Sequence, residues 1–235
     1  MSRLLMIVMV ILLTGCSTNT SSSQSLSNES NSDEKRVEGM NQQLIASAEK
    51  GDVDHVLKLL QDGADINATD ERGRTAVMAA TYNNKVEAVK ALIQKGADID
   101  IRDENLNNVL LYAGAEGLLD IVKLAIDAGA DPKLTNRYGG TALIPASERG
   151  HVEVVQELLS RSGIDVNHIN NLQWTALLEA VILGSGGEKH QQIVQLLVDH
   201  GADVNIGDRD GVTPLMHARQ QGFQEIADIL IEAGA

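Results

Sequence analysis

The sequence has few aromatic residues for its length. They make up 2% of the 235 residues, although 43% of the residues are hydrophobic. A domain of this size with one compact core would use more Phe, Tyr and Trp, whereas a stack of small helical units buries Ala, Leu, Ile and Val between neighbours. The composition therefore favours a repeat architecture.

Basic residues and cysteine are also scarce. Lys and Arg total 19 against 33 Asp and Glu, so the formal net charge is −14 at pH 7. Nucleic-acid binding depends on clustered Lys and Arg that neutralise phosphates, and no basic stripe occurs in the sequence. We therefore expect no nucleic-acid partner. The one cysteine, Cys16, has no second cysteine with which to form a disulfide or a metal cluster.

No catalytic motif is found. The sequence has no nucleophile elbow, no His-Glu-x-x-His, no Walker loop and no dinucleotide fingerprint. Asp208-Arg209-Asp210-Gly211 resembles part of a calcium loop, but it lacks the downstream bidentate Glu, and a tight turn explains the same residues. The sequence accordingly predicts no enzyme, no catalytic residue, no metal and no cofactor.

A short phrase that returns about every 33 residues dominates the rest of the chain. Gly63-Ala64-Asp65-Ile66-Asn67 is followed by related copies that begin at residues 96, 129, 163 and 201, and a truncated copy begins at residue 234. A fixed period of this length indicates stacked small units, each burying its apolar face against its neighbours.

The last unit shows the pattern most completely. Asp208 and Gly211 suit a tight turn, because Gly adopts a backbone conformation that a side chain disfavours. Thr213 is predicted to cap a helix whose first position is Pro214, and Thr75, Thr141 and Thr175 repeat this cap. A second helix with apolar residues at i, i+3 and i+4 follows in each unit.

These residues strongly resemble the ankyrin repeat, and the resemblance covers nearly everything after residue 40. It implies an all-α solenoid of about six helix-turn-helix units with short β-hairpin-like fingers along one edge. The predicted ankyrin-repeat domain is 41–235, with units near residues 41–70, 71–103, 104–136, 137–170, 171–208 and 209–235.

The third and fifth units depart most from the pattern. In the third unit Leu106 stands for the turn Gly and Asn108 for the capping Thr. In the fifth, the stretch from Thr175 to Gly201 is five residues longer than the stretch from Thr75 to Gly96 in the second. The surplus is Gly-rich and lies around residues 184–190, and we expect it to bulge from the loop between the two helices.

The resemblance implies a protein partner. Partners of ankyrin arrays usually contact the finger tips and the inner face of the first helices, where this chain carries Tyr, Trp and Arg, the residues that dominate interface hot spots. The predicted partner-binding residues are Arg72, Arg74, Tyr82, Asn105, Asn107, Arg137, Tyr138, Arg149, Asn171, Trp174 and Arg209. An alternative is that the exposed aromatic residues pack on the neighbouring finger.

A second interpretation places the function at the insertion. Glu188, His190 and His200 would approach one another as a weak zinc site, and together with Trp174 they would serve a small-molecule or peptide binder or a metal-assisted hydrolase. A solvated loop insertion explains the same residues without any site. His217 lies near a position where ankyrin repeats often carry His, and we interpret it as structural.

The first 40 residues resemble a bacterial lipoprotein leader. Arg3 precedes an apolar run at residues 4–13, and Leu13-Thr14-Gly15-Cys16 is similar to the lipoprotein box, in which the cysteine thiol receives a diacylglyceryl group. We predict a signal peptide at 1–15 and an acylated Cys16 followed by a flexible Ser/Asn-rich linker at 16–40. The alternative is an ordinary signal peptide with an accidental cysteine.

The combined prediction is a lipid-anchored, non-catalytic interaction protein of the bacterial cell envelope. It would be a scaffold or an inhibitor, monomeric, and held to the membrane through its N-terminal lipid only. It would lie on the outer membrane facing the periplasm in a Gram-negative cell, or on the outer face of the cell membrane in a Gram-positive one. A host-directed effector is disfavoured, because an acylated protein stays in its own envelope. Whether the last unit caps itself or dimerises is left open.

Overall fold

The structure, a computed structural model, describes the backbone of residues 21–235 and the side chains of residues 34–235. The predicted signal peptide and the acylated Cys16 lie outside these residues. Residues 37–235 form one compact unit, and the described residues before them, 21–36, belong to a separate one. Within residues 21–235 every regular element is an α-helix, so the predicted fingers are turns without strands.

Twelve helices follow one another in the described part of the chain. They are α1 (Ser21–Lys50), α2 (Val53–Gln61), α3 (Ala76–Tyr82), α4 (Val86–Gln94), α5 (Val109–Ala115), α6 (Leu119–Asp127), α7 (Leu143–Glu148), α8 (Val152–Arg161), α9 (Ala176–Ile182), α10 (Glu188–Asp199), α11 (Pro214–Gln221) and α12 (Gln224–Glu232). From α3 onwards the odd-numbered helices stack on one another as an inner layer, and the even-numbered helices stack as an outer layer. The predicted all-α repeat fold is confirmed.

Helix α1 differs from the predicted linker. It begins at Ser21, so residues 21–40 have a helical backbone where the sequence, which shows no apolar period there, predicts a flexible tether. Leu44, Ile45 and Ala48 near its end are buried in the core. Packing of these last turns provides a helical nucleus, and adding residues to an existing helix costs less than starting one.

The recurring Gly-Ala-Asp phrase links neighbouring units. Gly63 follows the end of α2 and has a φ of +100°. Glycine adopts this conformation freely because it has no side chain. The side chain of Asn67 then accepts a hydrogen bond from the backbone N–H of Asp98 in the next unit, at 2.9 Å. Asn167 does the same for Asp203 at 2.8 Å. These two copies of the phrase therefore end a helix and bind the corresponding loop of the next unit.

Most of the predicted helix caps are present, and one is not. Thr75, Thr175 and Thr213 accept a hydrogen bond from a backbone N–H three residues later, and Asn108 replaces Thr in the same role. Thr141 does not cap: its hydroxyl is buried without a partner, and the N–H of Ile144 binds the Thr141 carbonyl instead. The first turn of α7 closes by this i to i+3 bond just before Pro145, which has no N–H to offer.

The insertion in the fifth unit is packed, and the prediction of a loop bulge is corrected. Helix α10 has 12 residues where α4 has 9, so three of the five extra residues lengthen the outer helix. The loop at 183–187 takes the other two. Its Gly186 has a φ of +70°, and a Cβ added there would lie 2.3 Å from the ring of Phe223 in the last unit. The loop therefore rests against the sixth unit.

Within residues 34–235 no helix combines the length and the apolar character that a membrane crossing requires.

Candidate functional site

The side of the array formed by the inner helices and the fingers contains an open groove of about 460 Å³, here named the central groove. Its walls come from the fingers of the third, fourth and fifth units, from helices α5, α7 and α9, and from the last residue of α3. It is lined by Tyr82, Asn105, Asn107, Tyr112, Ala115, Glu116, Asn136, Arg137, Tyr138, Gly140, Ile144, Pro145, Glu148, Arg149, Asn170, Leu172, Glu179 and Leu183. Its volume is within the range of ligand pockets.

The structure brings six of the predicted partner-binding residues together in this groove: Tyr82, Asn105, Asn107, Arg137, Tyr138 and Arg149. Arg72 and Arg74 line a separate hollow beside Glu38 and Gln42 of α1. The remaining three, Asn171, Trp174 and Arg209, do not line the groove; Asn171 and Arg209 are exposed and Trp174 is half-buried.

Tyr112 and Glu179 line the groove although the sequence analysis did not select them. Each lies four residues after a helix-capping residue, Asn108 and Thr175 respectively. This position faces the groove on both α5 and α9. Counting from the cap is therefore the sequence signal that would have found them.

The fingers are held by their first residue, an Asp or Asn. In the fifth unit the side-chain oxygen of Asn170 accepts hydrogen bonds from the N–H groups of Leu172 and Trp174, at 2.9 and 3.0 Å. Because the oxygen is occupied, the amide NH₂ points to the inner helix and donates to Glu179 Oε1 at 2.8 Å. The finger and the groove floor are thus joined by one side chain.

Two tyrosines form one end of the groove. The rings of Tyr82 and Tyr112 have centroids 4.0 Å apart, and the Tyr82 hydroxyl donates a hydrogen bond to Asp103. Burial, reinforced by this hydrogen bond, raises the pKa of Tyr82 to about 12. Tyr82 therefore remains a neutral hydrogen-bond donor at physiological pH, and its ring is fixed by the finger of the next unit.

The rim of the groove carries two arginines that are already engaged. Arg137 stacks on the ring of Tyr138 with its guanidinium carbon 4.8 Å from the centroid, and it donates to Asn105 Oδ1 at 2.7 Å. Arg149 pairs with Glu116. Tyr138 nevertheless leaves 58% of its surface exposed. An exposed aromatic ring held in place by an arginine suits protein contact.

The floor of the groove contains a buried acid. Glu179 is 5% exposed. Burial, together with the nearby charge of Glu148, raises its pKa to about 7, and the hydrogen bond from Asn170 opposes the rise. Near neutral pH this carboxyl is therefore partly protonated, and it takes the charged form readily only when a cation is supplied.

The insertion does not assemble the suggested zinc ligands. His190 is buried, with Nε2 2.9 Å from the Glu148 carbonyl and Nδ1 3.2 Å from the Ser185 hydroxyl, and His200 Nδ1 contacts the Leu196 carbonyl at 2.7 Å. Among the described residues there is no group of three His, Cys, Asp or Glu that could hold a metal. His190 instead repeats His151, whose Nε2 contacts the Ala115 carbonyl at the end of α5.

Comparison with known proteins agrees with the geometry. A family model described as ankyrin repeats (3 copies) matches residues 44–136, 110–208 and 185–235. A putative ankyrin repeat protein of Escherichia coli K12, YahD, is 41% identical over 191 residues, which are 81% of this chain and 95% of that protein.

Solved structures show the same likeness. An ankyrin repeat domain from Acinetobacter baumannii AYE superposes with a TM-score of 0.80 at 50% identity, covering 82% of this chain and 97% of that one. The ankyrin repeat protein EF0377 superposes with a TM-score of 0.78 at 39% identity, covering 80% and 96%.

Proposed function

Because the chain belongs to the ankyrin-repeat family, we propose that it is a lipid-anchored binding protein of the bacterial cell envelope whose central groove holds a protein partner. Its role is that of a scaffold or an inhibitor, and it acts by binding without a catalytic step. The observation that carries the proposal is the central groove itself, which collects three tyrosines and two arginines on one open concave surface.

The composition of the groove supports a protein partner. Tyr82 and Tyr138 account for two of the five aromatic residues in the sequence, and Tyr112 for a third. Aromatic residues and arginine provide most of the energy of interface hot spots. The groove side chains are also held by hydrogen bonds and stacking before any partner arrives, so little conformational entropy is lost on binding.

Anchoring through Cys16 is part of the proposal and rests on the sequence of residues 1–16. Two or more acyl chains give stable membrane attachment where one chain gives only marginal attachment. Replacing Cys16 with Ser is expected to abolish incorporation of a labelled fatty acid and to move the protein out of the membrane fraction. A Cys16→Ser protein that stays acylated and membrane-bound would contradict the anchor.

Partner capture tests the groove. The full chain in mild detergent is used to retain proteins from an envelope extract, beside the variants Arg137→Ala/Tyr138→Ala and Arg209→Ala. Arg137 and Arg209 both directly follow the first residue of a finger, but only Arg137 lines the groove. We expect a retained protein to be lost with the groove variant and kept with Arg209→Ala. Equal loss with both variants, or equal retention by both, would exclude the groove.

The insertion-based alternative has no observation in its favour, because the two histidines that suggested it contact backbone carbonyls, His190 that of Glu148 at the end of α7 and His200 that of Leu196 in its own helix.

A further inference from the structure

Two acids lie at the floor of the central groove without a basic partner. Glu179 uses Oε1 to accept the hydrogen bond from Asn170, and no group in residues 34–235 binds its Oε2. The Glu148 carboxylate takes part in no hydrogen bond or ion pair with any described residue, and its charge acts on Glu179. Both side chains line the groove.

The cations of the groove do not compensate these acids. The Arg149 guanidinium is committed to Glu116 and to the Ala115 carbonyl at 2.8 Å. The Arg137 guanidinium is committed to Asn105 and to the Tyr138 hydroxyl at 2.8 Å. A carboxylate that is buried without a counter-charge is costly, and a cation entering from outside relieves that cost. The groove is therefore complementary to a positive charge at this place.

Apolar side chains line the same groove as the two acids. Leu172 and Leu183 are large hydrophobic residues that remain exposed, at 53% and 50%, and both line the groove. Lys and Arg lay their aliphatic stems along apolar surface and direct their charge elsewhere. The combination of exposed Leu and unpaired Glu matches both parts of a basic side chain.

We propose that the central groove binds an extended segment of its protein partner through one Lys or Arg side chain, whose charged end pairs with Glu179 and Glu148 while its stem lies against Leu172 and Leu183. The inference rests on the proposed function and names the chemistry that the partner presents. A second copy of this chain is a poor occupant, because its net charge of −14 repels an identical molecule.

Peptide titration tests the inference directly. The probes are four acetylated, amidated pentapeptides, Ala-Leu-X-Leu-Ala with X as Arg, Lys, Gln or Glu, titrated by calorimetry into the full chain in detergent up to about 10 mM. We expect the Arg and Lys peptides to bind about tenfold more tightly than the Gln peptide, the size of one charge-assisted hydrogen bond. The Glu peptide should bind least.

Variants locate the effect. Glu179→Gln keeps the shape and the acceptor for Asn170, and it is expected to reduce binding of the Arg peptide to the level of the Gln peptide. Glu148→Gln is expected to give a partial loss, and it serves as the second variant if Glu179→Gln folds poorly by circular dichroism. Glu188→Gln, an exposed position on the first turn of α10, should leave all four affinities unchanged.

The following results would overturn the inference. One is equal binding of the Arg and Gln peptides, and another is an Arg preference that survives in both Glu179→Gln and Glu148→Gln. A third is binding of free methylguanidine as tight as that of the Arg peptide, because the groove would then be a site for a small cation. Absence of binding by every peptide would also overturn it. None of these results decides the proposed function. The capture experiment tests that function separately, because it changes Arg137, Tyr138 and Arg209 and leaves Glu179 and Glu148 intact.

Discussion

Glu179 and His217 occupy the same position in their units, four residues after a helix-capping Thr, and each is matched to the first residue of its finger. Asn170 offers an amide donor, and Glu179 accepts from it. Asp208 offers a carboxylate, and the His217 ring nitrogen lies 2.8 Å from it. Hydrogen bonds from Val212 and His217 keep the pKa of Asp208 below its usual range. In the fifth unit the finger residue is the donor and the helix residue the acceptor, whereas in the sixth unit the finger residue is the acceptor and the helix residue the donor.

The raised pKa of Glu179 predicts a pH-dependent stability. Its folded pKa of about 7 lies above the ordinary value of 4.5 for a glutamate carboxyl, so the folded state favours the neutral carboxyl. The stability from this group is complete below pH 4.5 and is lost as the pH rises through 7. Glu179→Gln stays neutral throughout, and we expect it to raise the free energy of unfolding by about 3 kcal/mol near pH 8 and to leave it unchanged near pH 4.

Urea denaturation at the two pH values measures this difference. The exposed carboxylate Glu188, changed to Gln, is the control and should change the free energy of unfolding little at either pH. The same gain for Glu179→Gln at both pH values would contradict the assignment, because a packing effect does not depend on protonation.

Leu106 predicts a stabilising substitution. It has a φ of +60° where the second, fourth and sixth units have glycine, and its side chain is exposed. A left-handed conformation costs a residue with a side chain about 1–2 kcal/mol, and Gly loses part of that advantage through its greater freedom in the unfolded chain. We expect Leu106→Gly to raise the free energy of unfolding by about 0.5–1 kcal/mol, measured by denaturant titration.

Leu172 provides the matched control for Leu106. It is an exposed finger leucine that is not among the residues with positive φ, so Leu172→Gly should be neutral or destabilising. A gain of equal size in both variants would show that exposed leucine, and not backbone strain, is responsible.

At the scale of elements, the insertion shows where counting residues stops being informative. The sequence gives five surplus residues in the fifth unit but not their distribution between helix and loop. The register is set by His190, which takes the place of His151 and binds the Glu148 carbonyl. The surplus residues of α10 therefore form an additional first turn of this helix, at its N-terminal end next to His190. A prediction from glycine content alone places these residues in the loop and misses the additional turn.

Gly186 is the residue on which the packing of the insertion depends. Its φ is +70°, and a Cβ added there would meet the Phe223 ring at 2.3 Å. We expect Gly186→Ala to lower the free energy of unfolding by about 1–3 kcal/mol, through backbone strain and overpacking. Gly187→Ala is the control: its added Cβ approaches only Ser185 Oγ, at 3.3 Å, so the change should stay within about 0.5 kcal/mol.

Thermal or denaturant unfolding of the two variants distinguishes them. Equal stability for Gly186→Ala and the parent would mean that the loop is loose against the sixth unit. The solvated bulge expected from the sequence would then describe it better.

At the scale of the whole molecule, the period of the Gly-Ala-Asp phrase was sufficient to predict the array, because every unit builds the same helix pair. The groove was predicted in part. Arg137 and Tyr138 were found because finger positions can be counted from the turn, and Tyr82 was found because it lies just before the residue that ends the first helix of its unit. Trp174 was placed in the same set, yet it does not line the groove. Glu179 was missed because hydrophobic spacing says nothing about which inner-helix residue is polar and buried.

Photo-cross-linking in intact cells tests the central claim, that the central groove is the partner-binding surface. A photoreactive residue replaces Tyr138 or Leu183 in the groove, and Gln156 on the outer helix α8 or Arg209 on the last finger as matched exposed positions. The account predicts one discrete adduct from Tyr138 and Leu183 and none from Gln156 or Arg209. An adduct from Gln156 or Arg209 with none from the two groove positions would contradict it.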